Sequence, residues 1–271
     1  LLSAAFLAVL FWPVFYSRLA LRAIALPVVA GLSAVAWWHS WAGEPGSGGA
    51  GGTFVAPAPR PPRSPAPLLF LISGALAGLS LHTYMAARAV PIFYALYCAY
   101  LALFHRAAFR VRWRGIVAFW LALAAMALPL VAFLLLNPGA EARIGEVDAP
   151  LRALLAGNPR PVLGNAAQIV AGFGLRGDPL WRQGIAGRPV FDPVLAVPFY
   201  AGVLLCLWRW REPRHAFLLL WLGASVIPSL VTVDAPSTIR MINALPVLML
   251  FPLLAGQTMV RSLKRLGKAP Y

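Results

Sequence analysis

The chain has 271 residues, 61% hydrophobic and 11% charged, with a formal net charge of +15 from 23 Lys+Arg against 8 Asp+Glu. A soluble domain carries roughly 45–50% apolar and about 25% charged residues, and a water-soluble fold of this length has nowhere to put so much apolar surface. The numbers exclude an ordinary soluble enzyme, a disordered chain and a disulfide scaffold, and predict an all-α, polytopic transmembrane helical bundle forming a single domain over 1–271.

A helix rising about 1.5 Å per residue needs about 20 mostly apolar residues to cross a hydrocarbon core about 30 Å thick. Eight segments meet that requirement: 1–15 (incomplete), 21–41, 67–84, 90–105, 115–136, 193–208, 216–233 and 242–260. Leu1 opens inside an apolar run with no basic n-region and no cleavage site, so it does not read as a signal peptide. The chain is expected to be an N-terminally truncated piece of a longer protein. Proline inside several spans (Pro27, Pro129, Pro198, Pro228, Pro246, Pro252) is tolerated in membrane helices, where neighbours re-satisfy the freed carbonyl.

Residues 43–66 are rich in Gly, Pro, Ser and Ala and read as a flexible cytoplasmic linker. Their GSGGAGG is not a phosphate-cradling loop, because no Lys-Ser/Thr follows and no strand precedes it. Alternate connections carry Arg60 and Arg63, then Arg106, Arg110, Arg112 and Arg114, then Arg209, Arg211 and Arg214, then Arg261, Lys264, Arg265 and Lys268. The only acids among them are Glu44 and Glu212, so this set is placed in the cytoplasm by the positive-inside rule, in preference to a nucleic-acid patch. The long connection 137–192 then lies outside as an extracytoplasmic loop. It contains short amphipathic helices and ends in the polar, aromatic GDPLWRQGIAGRPVFDP. Loops of this kind are where a membrane enzyme places its chemistry on a rigid scaffold.

Cys98 and Cys206 sit in apolar runs without a CxxC and read as small buried hydrophobes. His39, His82, His105 and His215 are scattered, and neither a zinc site nor HExxH, GxSxG or EF-hand signatures are present. The informative residues are charged ones at the outer ends of spans. Arg18 and Arg22 are four apart and share a helix face. Arg88 stands beside Tyr84 in HTYMAARAVP, and Asp178, Trp181, Arg182, Arg188 and Asp192 fall within the long loop. Asp234 and Arg240 frame VDAPSTIRM. Arginine at outer positions is disfavoured and costs a few kcal/mol near membrane depth unless paired. Each could snorkel or staple a loop to an aspartate. As a set, converging guanidinium groups suit a lipid-linked phosphate, which they grip bidentately.

The succession FYSRLALRAIALP, GLSLHTYMAARAVP, RGDPLWRQGIAGRPVFDP, RWREPRHAFLLLWLGASVIPSL and DAPSTIRMINALP resembles the bacterial GT-C-type glycosyltransferases. It is similar to the family-39-like branch that includes dolichyl-phosphate-mannose protein mannosyltransferases, Rgt-like enzymes and lipid A aminoarabinose transferases. The resemblance covers nearly the whole chain apart from 43–66. It implies transfer of a hexosyl or pentosyl group from a polyprenyl-phosphate sugar to a glycan, lipid or protein acceptor at the outer face of the bacterial inner membrane. It implies Arg18, Arg22, Arg88 and Arg240 as donor-phosphate ligands, with Tyr84, Asp178, Trp181, Arg182, Arg188 and Asp234 lining the substrate loops. No cofactor, metal or nucleic-acid partner is expected. The family's catalytic carboxylate follows its first transmembrane helix, a loop this chain lacks, so no catalytic residue is assigned and the piece is expected to be inactive alone. Two rivals remain at this stage. One is a transporter or lipid flippase, although no internal repeat is found and the middles of the spans are nearly free of charge. The other is a non-catalytic assembly subunit.

Overall fold

A computed structural model describes residues 12–14, 22–41, 66–140, 142, 144–181 and 185–266. Most of the first expected span, nearly all of the 43–66 linker, and Arg18 and Arg182 lie outside the described residues. Among the described residues every regular element is a helix. Three helical stretches are long and apolar enough to cross a membrane, as in an integral membrane protein: Met85–Phe104, Arg106–Leu136 and Ile242–Ser262. Pro67–Ser80 and Pro193–Trp208 are shorter apolar helices. The chain divides into two compact units, residues 28–137 and residues 1–27 with 138–271.

The unit 28–137 holds most of α1 (Ala25–Trp41), with α2 (Ala66–Ser80), α3 (Ala89–Phe104) and α4 (Arg106–Leu136). A 3-10 turn, Met85–Arg88, leads into α3 from an extended Tyr84. The expected basic connection 106–114 is instead the beginning of α4. Arg and Ala are strong helix formers and RAAFRVRWR contains neither Gly nor Pro, so the helix runs back through the charges until the break at His105. Gly74 and Gly78 let α2 lie directly on the α4 backbone. A Cβ on Gly74 would run into the Phe119 carbonyl, the close approach that small residues permit between membrane helices.

Trp37 is the hub of this unit. Its ring meets Phe70 of α2 at 5.2 Å, Tyr94 of α3 at 5.2 Å and Phe119 of α4 at 5.0 Å, largely edge-on or tilted, as aromatic quadrupoles prefer. Beside it Ser33 Oγ donates to the Ser73 carbonyl at 2.8 Å and Ser73 Oγ returns a bond to the Ser33 carbonyl at 2.8 Å. The Tyr94 hydroxyl lies 2.7 Å from Ser33 Oγ, so three buried hydroxyls satisfy one another between α1, α2 and α3.

In the other unit, the expected long loop is helical over much of its length: α5 (Ile144–Val147), α6 (Ala149–Leu155) and α7 (Arg160–Gly174). Helix α7 is amphipathic, burying Ile169 and Phe173 while Leu163 and Val170 stand exposed. Helices α8 (Pro193–Trp208), α9 (Pro213–Leu230), α10 (Leu245–Leu248) and α11 (Leu250–Leu266) complete the unit. Asp192 starts α8 by accepting from the Leu195 amide at 3.0 Å, with Pro193 preset for the first turn. Phe199 of α8 joins Phe173 at 5.0 Å, Phe191 at 4.8 Å and Phe251 at 5.7 Å. Trp221 of α9 donates to the Asn243 carbonyl at 2.6 Å. Both cysteines are buried and free.

Candidate functional site

Two of the quoted motifs meet in the unit 138–271. The first follows α7 as a closed loop. Gly177 donates to the Gly187 carbonyl at 3.0 Å, and Gly187, at φ +75°, donates to the Asp178 carbonyl at 2.8 Å. A Cβ on Gly177 would collide with the Arg188 backbone, so this closure requires glycine. The chain then returns along the end of α7, with Val190 and Phe191 amides donating to the Gly172 and Phe173 carbonyls.

The second motif follows α9. Asn165 of α7 donates to both the Leu230 and Thr232 carbonyls at 2.9 Å, and Val233 donates to the Val147 carbonyl at 2.9 Å. Asp234, exposed, takes φ +61°, a left-handed conformation that Asp tolerates better than most residues. A cis peptide joins Ala235 to Pro236, and Ser237 donates its amide to Ser229 Oγ at 2.9 Å. Residues 235–238 are buried.

Asp178 ties the two together. Its side chain is 4% exposed; Oδ1 accepts from the Leu180 amide at 2.9 Å, and Oδ2 accepts from both the amide (2.8 Å) and hydroxyl (2.9 Å) of Thr238. Both oxygens are therefore committed, which satisfies a carboxylate that burial would otherwise penalise. Charge-assisted bonds of this kind are roughly twice as strong as neutral ones. Asp178 thereby positions the turn.

Each arginine has its own setting. Arg240 is half-buried and donates through Nη1 to Thr232 Oγ1 at 2.8 Å and to the Val233 carbonyl, so it braces the turn that carries it. Arg188 is exposed at the end of the Asp178 loop. Arg176, which the sequence reading did not single out, is exposed at its beginning. Beside them along the chain stand large exposed apolar groups: Leu175 at 78%, Trp181 at 80% and Ile185 at 56%. Cations alternating with exposed aromatic and aliphatic groups make a rim suited to a membrane–water boundary.

The remaining sequence candidates lie elsewhere. Arg22 belongs to the 3-10 turn Arg22–Ile24 ahead of α1. Within the unit 28–137, Arg88 closes the 3-10 turn before α3 and is exposed, and Tyr84 is half-buried as the residue preceding that turn. Nearby His82 donates to the Met126 carbonyl at 2.8 Å. The structure thus joins the Asp178 loop to the Asp234–Arg240 turn, through a residue, Thr238, that sequence reasoning passed over. The signal was present as the hydroxyl pair of APST, but a neutral hydroxyl gives no charge asymmetry to read. No protein-family model matches the chain, and neither a curated protein nor a solved structure matches it.

Proposed function

We propose that this chain belongs to an integral-membrane glycosyltransferase that moves a sugar from a polyprenyl-phosphate donor to an acceptor at the outer face of the bacterial inner membrane. The eight-span topology, with 137–192 outside, is part of the same proposal. One observation carries it: buried Asp178 binds Thr238, so the RGDPLWRQ and DAPSTIRM motifs form a single platform on which arginines stand beside an exposed apolar rim. A polyprenyl phosphate needs both, an apolar surface for its chain and guanidinium groups for its head.

In this reading the donor enters laterally from the lipid. Its phosphate is met by Arg240, with Arg18 and Arg22 contributing and Arg188 at the loop rim, while Trp181, Arg182 and Asp234 border the sugar and acceptor. As the glycosidic bond breaks, negative charge grows on the departing phosphate. Fixed guanidinium groups then stabilise the transition state more than the bound ground state. Asp178 acts at one remove by holding the turn in place.

The test is binding of polyprenyl phosphate against polyprenol, by the full chain in nanodiscs. The phosphate should be preferred, and Arg240→Lys should weaken its binding tenfold or more, because lysine lacks the bidentate fork. Equal affinity for the alcohol and the phosphate would overturn the proposal. Unchanged phosphate affinity in Arg240→Lys, with lowered thermal stability, would remove Arg240 from the site.

A further inference from the structure

Helix α4 has 31 residues, about 46 Å at 1.5 Å per residue, well beyond the roughly 30 Å of a hydrocarbon core. The apolar part, Gly115–Leu136, is long enough to fill that core alone, and Val117, Leu121, Leu128 and Leu135 stand exposed along it. The leading residues 106–114 therefore extend through the headgroup layer while remaining helical.

Four arginines lie in that extension and the helix sorts them. Arg112 turns inward, donating to the Trp41 carbonyl at 3.0 Å with its guanidinium 4.8 Å from the Trp41 ring centroid. Arg106, Arg110 and Arg114 are all exposed and follow one another at i, i+4 and i+8, a stripe stepping about 6 Å along one face. Exposed Val111 and Trp113 accompany the stripe, with the Arg114 guanidinium 5.6 Å from the Trp113 ring centroid. Between positions 28 and 137 the sequence contains a single carboxylate, Glu44, which lies outside the described residues. Among the described residues of this unit no acid is present to neutralise the stripe.

We infer that the Arg106–Arg110–Arg114 face is a docking ridge for anionic phospholipid headgroups. Its occupant is set by its place. The stripe ends where the lipid-facing apolar segment begins, which is the depth of lipid phosphates. Trp113 and Val111 favour that boundary over open water, where a soluble polyanion would bind. Arginine grips phosphate through its fork, and a row of three offers successive headgroups a continuous rail. The inference is independent of any sugar-transfer activity.

The experiment reconstitutes the full chain in phosphatidylcholine vesicles containing a minor fraction of phosphatidylglycerol, then counts lipids retained on extraction by native mass spectrometry. Wild type should enrich phosphatidylglycerol. The triple variant Arg106→Gln/Arg110→Gln/Arg114→Gln should lower that preference roughly 100-fold, from the usual contribution of each basic residue near an anionic surface. The matching triple Lys variant should retain most of it, and Arg152→Gln/Arg160→Gln should match wild type. If the triple Gln variant does not fold, Arg110→Gln alone should lower the preference roughly fivefold. Wild-type enrichment persisting in the Gln variants would overturn the inference. So would a short single-stranded RNA or inorganic polyphosphate that displaces the bound lipid at low concentration, since the ridge would then serve a soluble polyanion.

Discussion

In the unit of residues 28–137 the core is a ring of aromatic groups around Trp37, and three buried hydroxyls, Ser33, Ser73 and Tyr94, answer one another without any carboxylate. In the unit carrying residues 138–271 an aromatic cluster around Phe199 is joined by something different: a buried carboxylate, Asp178, reaching sixty residues along the chain to Thr238. The first unit is held largely by the packing of aromatic rings. The second holds two irregular segments together through ionic hydrogen bonds, which have direction and a definite length. Irregular backbone needs such partners because each of its amides and carbonyls must be satisfied individually. That is also what a binding platform requires and a helical scaffold does not.

Removing the hub of the first unit should have the largest effect. Trp37→Ala should cost about 3–5 kcal/mol, the range for deleting a fully buried large aromatic side chain, read as loss of reversible unfolding stability in detergent. A cost below about 1 kcal/mol would mean the aromatic ring is not the core of that unit. Next comes the carboxylate of the second unit. Asp178→Ala should cost about 2–3 kcal/mol, because the Thr238 amide and hydroxyl lose a charged acceptor in a buried place. Hydrogen exchange should rise at residues 234–241 and 178–187; exchange unchanged at Thr238 would show that the carboxylate does not hold the turn.

Two smaller changes sharpen the contrast. Asp192→Ala should cost about 1 kcal/mol, the ordinary value of an N-cap, since its side chain receives the Leu195 amide. Asp178 and Asp192 lie in the same motif, so equal costs for both would erase the distinction between a latch and a cap. Tyr94→Phe should cost about 0.6 kcal/mol, typical of a hydrogen bond between membrane helices, because Ser33 keeps its bond to the Ser73 carbonyl. Thermal unfolding of the two variants, measured side by side, checks both.

Periodicity and composition made individual helices readable. The expected span 193–208 coincides with the helix Pro193–Trp208, whose start Asp192 and Pro193 mark locally, and 90–105 lies one residue from Ala89–Phe104. Residues 106–114 were misread as a connection. Arginines argue for water in a hydropathy scan, yet they are good helix formers, and a helix longer than the bilayer is thick keeps them in register. The segment 137–192 was read as a loop bearing short helices, and α7 is fifteen residues of it. In the site, the motif strings around Asp178 and Arg240 were visible because charge is rare in this chain. Thr238 and Asn165 were not, since their importance arises only when α7, the Asp178 loop and the turn after α9 meet in space. The roles within the motifs were also opaque: Arg240 braces its own turn and Asp178 grips a threonine, and neither pairing follows from spacing.

The central claim is that the Asp178 loop and the Asp234–Arg240 turn act as one platform for a lipid phosphate. It is tested most directly by a double-mutant cycle on Asp178→Asn and Thr238→Val, read as the dissociation constant for polyprenyl phosphate in nanodiscs. If the two segments form one unit, each single change should weaken binding about tenfold, on the usual scale of about 1.4 kcal/mol per decade, and the double variant should be no weaker than the weaker single. Losses that multiply, giving about a hundredfold in the double variant, would show that the two segments contribute separately and would contradict the account.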